Sequence, residues 1–439
     1  MDLTKIQTTA TLLFALAILH TFLCTRVHRL SRRFREGTLS RNLLTLLGEV
    51  EVVFGFWAAI LIIALFICCG KNTAISYLET RNFDEPLFVF VIMVVAATKP
   101  IIELARKLIF ISARILPMKR EWSLYFACLT LGPLMGSLIT EPAAMTLTAL
   151  VLREIYYNQN PSRKFKYFTL ALLFVNISIG GALTPFAAPP ILMVARKWGW
   201  TLPILLSKVG WKAAIATVLN AGLGVLVLGR ELSRSKNHAQ GPVFDKEGNR
   251  ANSSTHIRSR IPVWLTTIHI LTLILIVISV HHPAIFSSLF VFFIGLTSIS
   301  REHQEEIRLR QSFMVALFLG GLVILGGMQE WWLTPLITDL SAFPLFLSTT
   351  ALTAITDNAA LTYLGSLVPT LSEAQRYFLV SGAIAGGGLT VIANAPNPIG
   401  FSILQEYFGK DGIEPWSLFI WAIIPTGIVM ACLWFLLGI

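Results

Sequence analysis

The sequence predicts an all-α polytopic membrane protein: about 10 transmembrane helices plus two re-entrant hairpins, in two inverted-topology repeats. Three observations carry this. First, 55% of the 439 residues are hydrophobic and only 13% are charged, with a mean hydropathy of +0.70; soluble domains carry about 25% charged residues. Second, apolar runs of spanning length recur, among them Val50–Cys69 and residues 87–104, 263–280 and 416–437. Third, each half contains an apolar stretch interrupted at its centre by a polar, helix-breaking segment that carries a carboxylate. Lipid admits only helices and closed barrels, and these runs are too long and continuous for barrel strands.

The elements follow in order from hydropathy and from the placement of Lys and Arg. Residues 9–24 form the first span, and Arg26, Arg29, Arg32, Arg33, Arg35 and Arg41 behind it place the next loop in the cytoplasm and the N-terminus outside. One Lys before the run and an Arg cluster after it reverse the signal-peptide pattern, so this segment is kept as a span. Val50–Cys69 leads out, and residues 87–104 return to Arg106, Lys107, Arg114, Lys119 and Arg120. The next stretch, 123–152, has basic residues at both ends. One crossing cannot leave both ends inside, whereas a hairpin with Thr140-Glu141-Pro142 at its tip can; the alternative is one kinked span that departs from the charge rule.

Residues 167–196 then cross outward, interrupted by Asn176, Gly180, Gly181, Pro185, Pro189 and Pro190, and residues 202–228 come back. A polar stretch, 230–262, reads as a cytoplasmic linker. It separates a first repeat, 1–229, from a second, 263–439. The second repeat has spans at 263–280, 284–299 and 312–328. An outer segment, 329–344, carries Trp331 and Trp332. A hairpin at 345–368 breaks at Thr356-Asp357-Asn358. A broken span at 377–407 leads inward to Lys410, and a last span ends outside. Most of the 35 Lys and Arg fall in loops that this path puts in the cytoplasm, so the net charge of +11 reads as topology and not as nucleic-acid binding. Cys24, Cys68, Cys69, Cys128 and Cys432 lie scattered in apolar runs without metal spacing and read as small hydrophobes.

The repeat is visible in residues. Thr140-Glu141-Pro142-Ala143-Ala144-Met145-Thr146 pairs with Thr356-Asp357-Asn358-Ala359-Ala360-Leu361-Thr362, and Gly180-Gly181-Ala182-Leu183-Thr184 pairs with Gly386-Gly387-Gly388-Leu389-Thr390. The first hairpin enters from the cytoplasm and the second from outside, the layout of secondary transporters with broken elements at the midplane.

Glu141 and Asp357 are therefore the chemistry-bearing residues. Intramembrane carboxylates are rare and functional by default. Burial disfavours the charged form of a carboxyl and a bound cation favours it, so one such group can exchange H⁺ for Na⁺. The alternative is a cap on a half-helix. Asp357 has side-chain oxygens beside it on Thr356 and Asn358, whereas Glu141 has Thr140 but is followed by Pro142, so Asp357 is expected to be the main exchange carboxylate. Thr184, Thr390, Asn394 and Asn397 at the breaks add hard oxygens suited to Na⁺, with helix capping or interhelical bonding as the alternative. Asn176 and Ser178 precede the first break. Lys99 is expected to snorkel, and Glu49 and Glu51 to be interfacial.

Two of these stretches, Thr356–Thr362 and Gly387-Gly388-Leu389-Thr390-Val391-Ile392-Ala393-Asn394-Ala395-Pro396-Asn397-Pro398, resemble the ion-transporter superfamily. The likeness is closest to Na⁺/H⁺ antiporters of the NhaD type and to a related Na⁺/H⁺ antiporter family, which Gly48-Glu49-Val50-Glu51-Val52-Val53-Phe54-Gly55 also resembles. The resemblance implies a scaffold part, a transport part holding both hairpins, and a homodimer. Symporter relatives commonly carry a neutral Ser-Asn-Thr at the hairpin tips; Glu141 and Asp357 stand there in this chain, which favours a cation.

The function expected is Na⁺/H⁺ exchange by alternating access in a bacterial inner membrane, both termini outside. Na⁺ would sit at Asp357, Asn358 and Asn394, helped by Thr356, Thr390 and Asn397. Glu141, Thr140, Thr184 and Asn176 would form the pseudo-symmetric second site. No cofactor is expected, and the partners are the bilayer and an inorganic cation. The alternative is a sodium- or proton-coupled anion transporter held by paired half-helix N-termini. An enzyme is not expected, since no His-Glu-x-x-His or Gly-x-Ser-x-Gly occurs.

Overall fold

The structure is a computed structural model and describes residues 3–234, 243–244, 250–251, 261–304, 306–409 and 412–436. Apart from a two-residue antiparallel pairing of Val243–Phe244 with Arg250–Ala251, the described residues are helices and their connections. Helix α1, Leu3–Ser31, is longer at both ends than the span at 9–24. A short helix α2, Leu39–Leu47, begins at Thr38, whose Oγ1 accepts from the Arg41 N–H. Helix α3, Val50–Cys69, has the bounds its apolar run gave it; α4, Lys71–Glu79, follows the positive-φ Gly70.

The expected third span at 87–104 is not one rod. It is α5, Asp84–Ala96, and α6, Lys99–Ile115, bent by 68°. Pro100 has no N–H to bond the Ala96 carbonyl, so the helix stops and restarts. The Thr98 hydroxyl at the bend donates to Val95 O and meets His269 Nδ1 at 2.9 Å. Lys99 therefore opens α6 and does not sit mid-span.

The stretch 123–152 is α7, Arg120–Leu134, one turn of α8, Gly136–Ile139, and α9, Glu141–Ile155. Thr140 separates them at φ +71°, ψ +151°, a conformation that L residues with branched Cβ rarely adopt. The first broken span is α10, Arg163–Gly180, a 3₁₀ turn at Gly181–Leu183, and α11, Pro189–Trp198. Then come α12, Leu202–Leu205, a π turn and α13, Trp211–Arg234. Because α13 runs to Arg234, the first five residues of the expected linker are helical, and most of the rest lies outside the described residues.

In the second half, α14, Val263–Ile278, α15, Pro283–Ile299, and α16, Leu309–Gly326, precede α17, Glu330–Thr338. The outer segment thus contains a helix, with Trp331 exposed and the Trp332 indole bonded to Gln329 Oε1 at 2.8 Å. The stretch 345–368 is α18, Ala342–Thr353, and α19, Asn358–Ser366. The second broken span is α20, Glu373–Gly386, and α21, Asn397–Leu404; α22, Pro415–Phe435, is last among the described residues. Lys410, the inner anchor of that span, lies outside the described residues.

Among the described residues seven helices are long and apolar enough to cross a membrane, or eight if the bent pair counts as one span. The expectation of about ten differs because α14 and α15 have only 16 and 17 residues, and because the second broken span has no continuous helix of spanning length. The protein is an all-helical integral membrane protein.

Burial divides the helices. Every residue from Leu170 to Gly180 of α10 is buried, with α7, α9, α13, α20 and α22 around it. Outside this group α3 lies against α16 and α16 against α5. Their close approach needs small residues: a Cβ on Gly321 would fall 2.4 Å from the Gly55 nitrogen. Serines cap the start of both central helices. Ser162 Oγ accepts from the Phe165 N–H, and Ser372 forms a capping box with Gln375.

Candidate functional site

Four helix interruptions meet in the core. Two are the breaks at Thr140 and at Thr356–Asp357. The others are the unwound segments after α10 and α20. Each unwound segment is tied to the break of its own half by a threonine. Thr184 Oγ1 donates to Ser137 O at 2.7 Å, and Thr390 Oγ1 donates to Ala354 O at 2.9 Å. The halves are also tied to each other. Ser178 Oγ donates to Ile384 O at 2.7 Å and Asn394 Nδ2 donates to Glu141 Oε2 at 3.0 Å, while within the second half the Asn358 N–H donates to Ala393 O at 3.0 Å. Glycines let the backbones close: a Cβ on Gly388 would lie 2.3 Å from Val175 Cα, and one on Gly180 2.4 Å from Pro133 O.

The two carboxylates are placed differently. Glu141 is the first residue of α9 and has no exposed surface. It makes no side-chain cap; its Oε2 takes the Asn394 amide while Oε1 is buried without a hydrogen-bond partner. Asp357 is half-buried and caps α19, its Oδ1 accepting from the Ala359 N–H at 2.8 Å and the Ala360 N–H at 3.3 Å. The pairing of the repeats explains the difference. Asn394 corresponds to Ala188 in the first half, so only Glu141 has an amide facing it.

The unpaired polar atoms concentrate here. Besides Glu141 Oε1 they include Thr140 Oγ1, Asn394 Oδ1, Asn397 Oδ1 and both amide atoms of Asn358, all buried. Asn397 keeps its oxygen free because its Nδ2 is used by Gly387 O at 2.7 Å and Thr390 O at 2.8 Å. Each buried unpaired polar group costs about 1–3 kcal/mol, so a cluster of them around a carboxylate is a donor set that gains by surrounding a ligand. Five oxygens and one N–H₂ suit a hard cation better than a soft one. Among the described residues no three His, Cys, Asp or Glu side chains group into a metal centre, and the five cysteines are free.

The expected residues therefore separate. Glu141, Thr140, Asn358, Asn394 and Asn397 contribute the unpaired atoms, and Thr184 and Thr390 brace the turns. Thr356 is half-buried beside Asp357. Asn176 is not with them. Its Nδ2 donates to Leu129 O and Thr217 O, and its Oδ1 accepts from Asn220, so it joins α7, α10 and α13 below the breaks.

Sequence reasoning undervalued two groups. Ser137 accepts the Leu183 N–H and donates to Gly180 O at 2.6 Å, holding the first unwound segment, yet a lone serine in an apolar run gives no signal. Glu51 was read as interfacial. It lies on the wall of a cavity of about 310 Å³ that Thr140, Pro142 and Ala395 also line. Its signal in the sequence is the Gly48–Gly55 stretch that carries part of the family resemblance.

Among proteins of curated function none matches the chain. A family model does match, and along nearly the whole length: residues 5–436 fit the family described as "Putative Na+/H+ antiporter", to which this chain belongs.

Proposed function

We infer that the protein exchanges Na⁺ for H⁺ by alternating access, and that the exchange centres on Glu141. The observation that carries this is the fully buried Glu141 carboxyl with one oxygen on Asn394 and the other unpaired, among further unpaired oxygens of Thr140, Asn358, Asn394 and Asn397. A carboxyl in such a place is stable as COOH or as COO⁻ beside a cation, and unstable as bare COO⁻. Loading one ion therefore expels the other, which is obligatory exchange. Asp357 spends one oxygen on the α19 N-terminus and lies near enough for its charge to act on Glu141. It serves as a second, more accessible carboxylate. The sequence ranked these two the other way; the amide on Asn394 and the cap on α19 move the weight to Glu141.

Crossed helix pairings support the inverted repeat and its two re-entrant hairpins. Helix α11 of the first half packs on α19 of the second, and α21 of the second packs on α9 of the first. The same swap relates α3 on α16 to α15 on α5. Such pairing is what a pseudo-twofold axis in the membrane plane produces. The bundle of α7 to α13 with α18 to α22 then acts as the transport part, and α1, α3, α5 and α14 to α16 as the scaffold. By the distribution of Arg and Lys, the cavity beside Arg308 and Arg310 faces the cytoplasm and both termini face out. The anion alternative loses support because the chain's own carboxylates, Glu141 and Asp357, occupy the starts of α9 and α19.

The test is Na⁺-driven dissipation of a preset pH gradient in proteoliposomes, with K⁺ and citrate as controls. Purified protein should respond to Na⁺, and Glu141→Gln should not respond while remaining folded. A citrate-driven flux that survives Glu141→Gln would replace exchange by anion transport.

A further inference from the structure

Resting on the exchange reading above, we propose that Glu51 is a third transport carboxylate, which receives the cation from the cavity and passes it to the central oxygens. Four observations lead there. Glu51 lies in the first turn of α3, on the wall of the cavity whose other side reaches Thr140 and Ala395, each next to a site residue. Thr140, in that same wall, carries a buried Oγ1 with no hydrogen-bond partner, so a residue of the cavity wall also holds one of the unpaired oxygens of the site. The Glu51 charge also reaches Asp357, so the carboxylate on the cavity wall and the one at the start of α19 are electrostatically linked.

The fourth observation is that the other charged groups of the cavity are committed. Glu49 Oε1 is held by Arg310 Nη2 at 2.7 Å, and the Arg308 Nη1 donates to Thr146 Oγ1 at 3.3 Å. Glu51 has no ion pair among the described residues, and its carboxyl bonds the backbone N–H of its own helix turn and no other side chain. It is the one carboxylate in this cavity left to bind an ion, and a half-buried carboxylate at the head of an apolar helix gains from a cation beside it. Its charge also decides what enters. With Glu49 and Arg310 neutralising each other, Glu51 offsets Arg308, and without it the cavity would favour anions.

The prediction is sided. In right-side-out and inside-out vesicles, Glu51→Gln should raise the KM for Na⁺ by about tenfold from the cavity side only, with the KM from the opposite side and the maximal rate nearly kept. Glu51→Asp should restore most of the cavity-side KM. A structural role for Glu51 would instead lower thermal stability in detergent and change both sides alike. Equal KM on both sides in Glu51→Gln, or an equal rise on both, overturns the proposal. Failure of the exchange reading is distinguishable, because the unsubstituted protein would then show no Na⁺-driven flux at all.

Discussion

Gly181→Ala tests whether the position of the Glu141 carboxyl governs transport. Gly181 has φ −74°, which alanine adopts freely, so the substitution adds a methyl group and no backbone strain. That methyl would fall 2.5 Å from Glu141 Oε1 and 2.6 Å from its Cγ. Ordinary contact requires roughly 3.4 Å, so the carboxyl must retreat by about 0.9 Å. A shift of that size displaces the carboxyl from the Asn394 Nδ2–Glu141 Oε2 bond of 3.0 Å and weakens it. A hydrogen bond to a charged group contributes about 1.5–3 kcal/mol, and a displacement of about 1 Å in a site that must hold its ligand costs on the order of 100-fold in rate. The assay is initial rate of Na⁺-driven ΔpH dissipation, with Gly222→Ala as control because nothing lies within 4 Å of a methyl there. Gly181→Ala should lose about 100-fold while Gly222→Ala transports normally. Wild-type rates in Gly181→Ala would refute the assignment of exchange to Glu141.

Other outcomes follow from the same geometry. Asp357→Asn should keep the α19 cap, since Asn caps as well as Asp, whereas Asp357→Ala should cost about 1 kcal/mol in detergent melts. If both ions use one carboxyl, the apparent KM for Na⁺ should rise as pH falls, through competition; a pH-independent KM would separate the two ions' sites. Cysteines at the exposed Arg114 and Lys164 should both label from the cytoplasm and one at Asp339 from outside; opposite labelling of the first two would remove the first hairpin. Gly321→Ala would drive a methyl to 2.4 Å from the Gly55 backbone, so α3 and α16 must part, at about 1–3 kcal/mol of stability read as a lower melting temperature.

Composition and periodicity determined what depends on lipid and on local chain chemistry. Apolar length gave α3 its bounds, Pro and Gly located both broken spans, and the doubled acidic segment marked Thr140–Pro142 and Thr356–Asn358 as breaks. These are local properties, because a helix must end where its N–H or its φ is lost. The family likewise was legible in the Gly387–Pro398 stretch. The choice between the carboxylates that we propose was not. Glu141 and Asp357 occupy equivalent positions, and their neighbours in sequence favour Asp357. What separates them is Asn394, 253 residues away from Glu141, and the cap on α19. Glu51 shows the same limit. At the head of an apolar run it looks interfacial, and only the packing of α3 against α16 and the Thr140 break brings it to the cavity wall. Burial and partnership are set by which helices meet, and hydropathy along one chain holds no record of that.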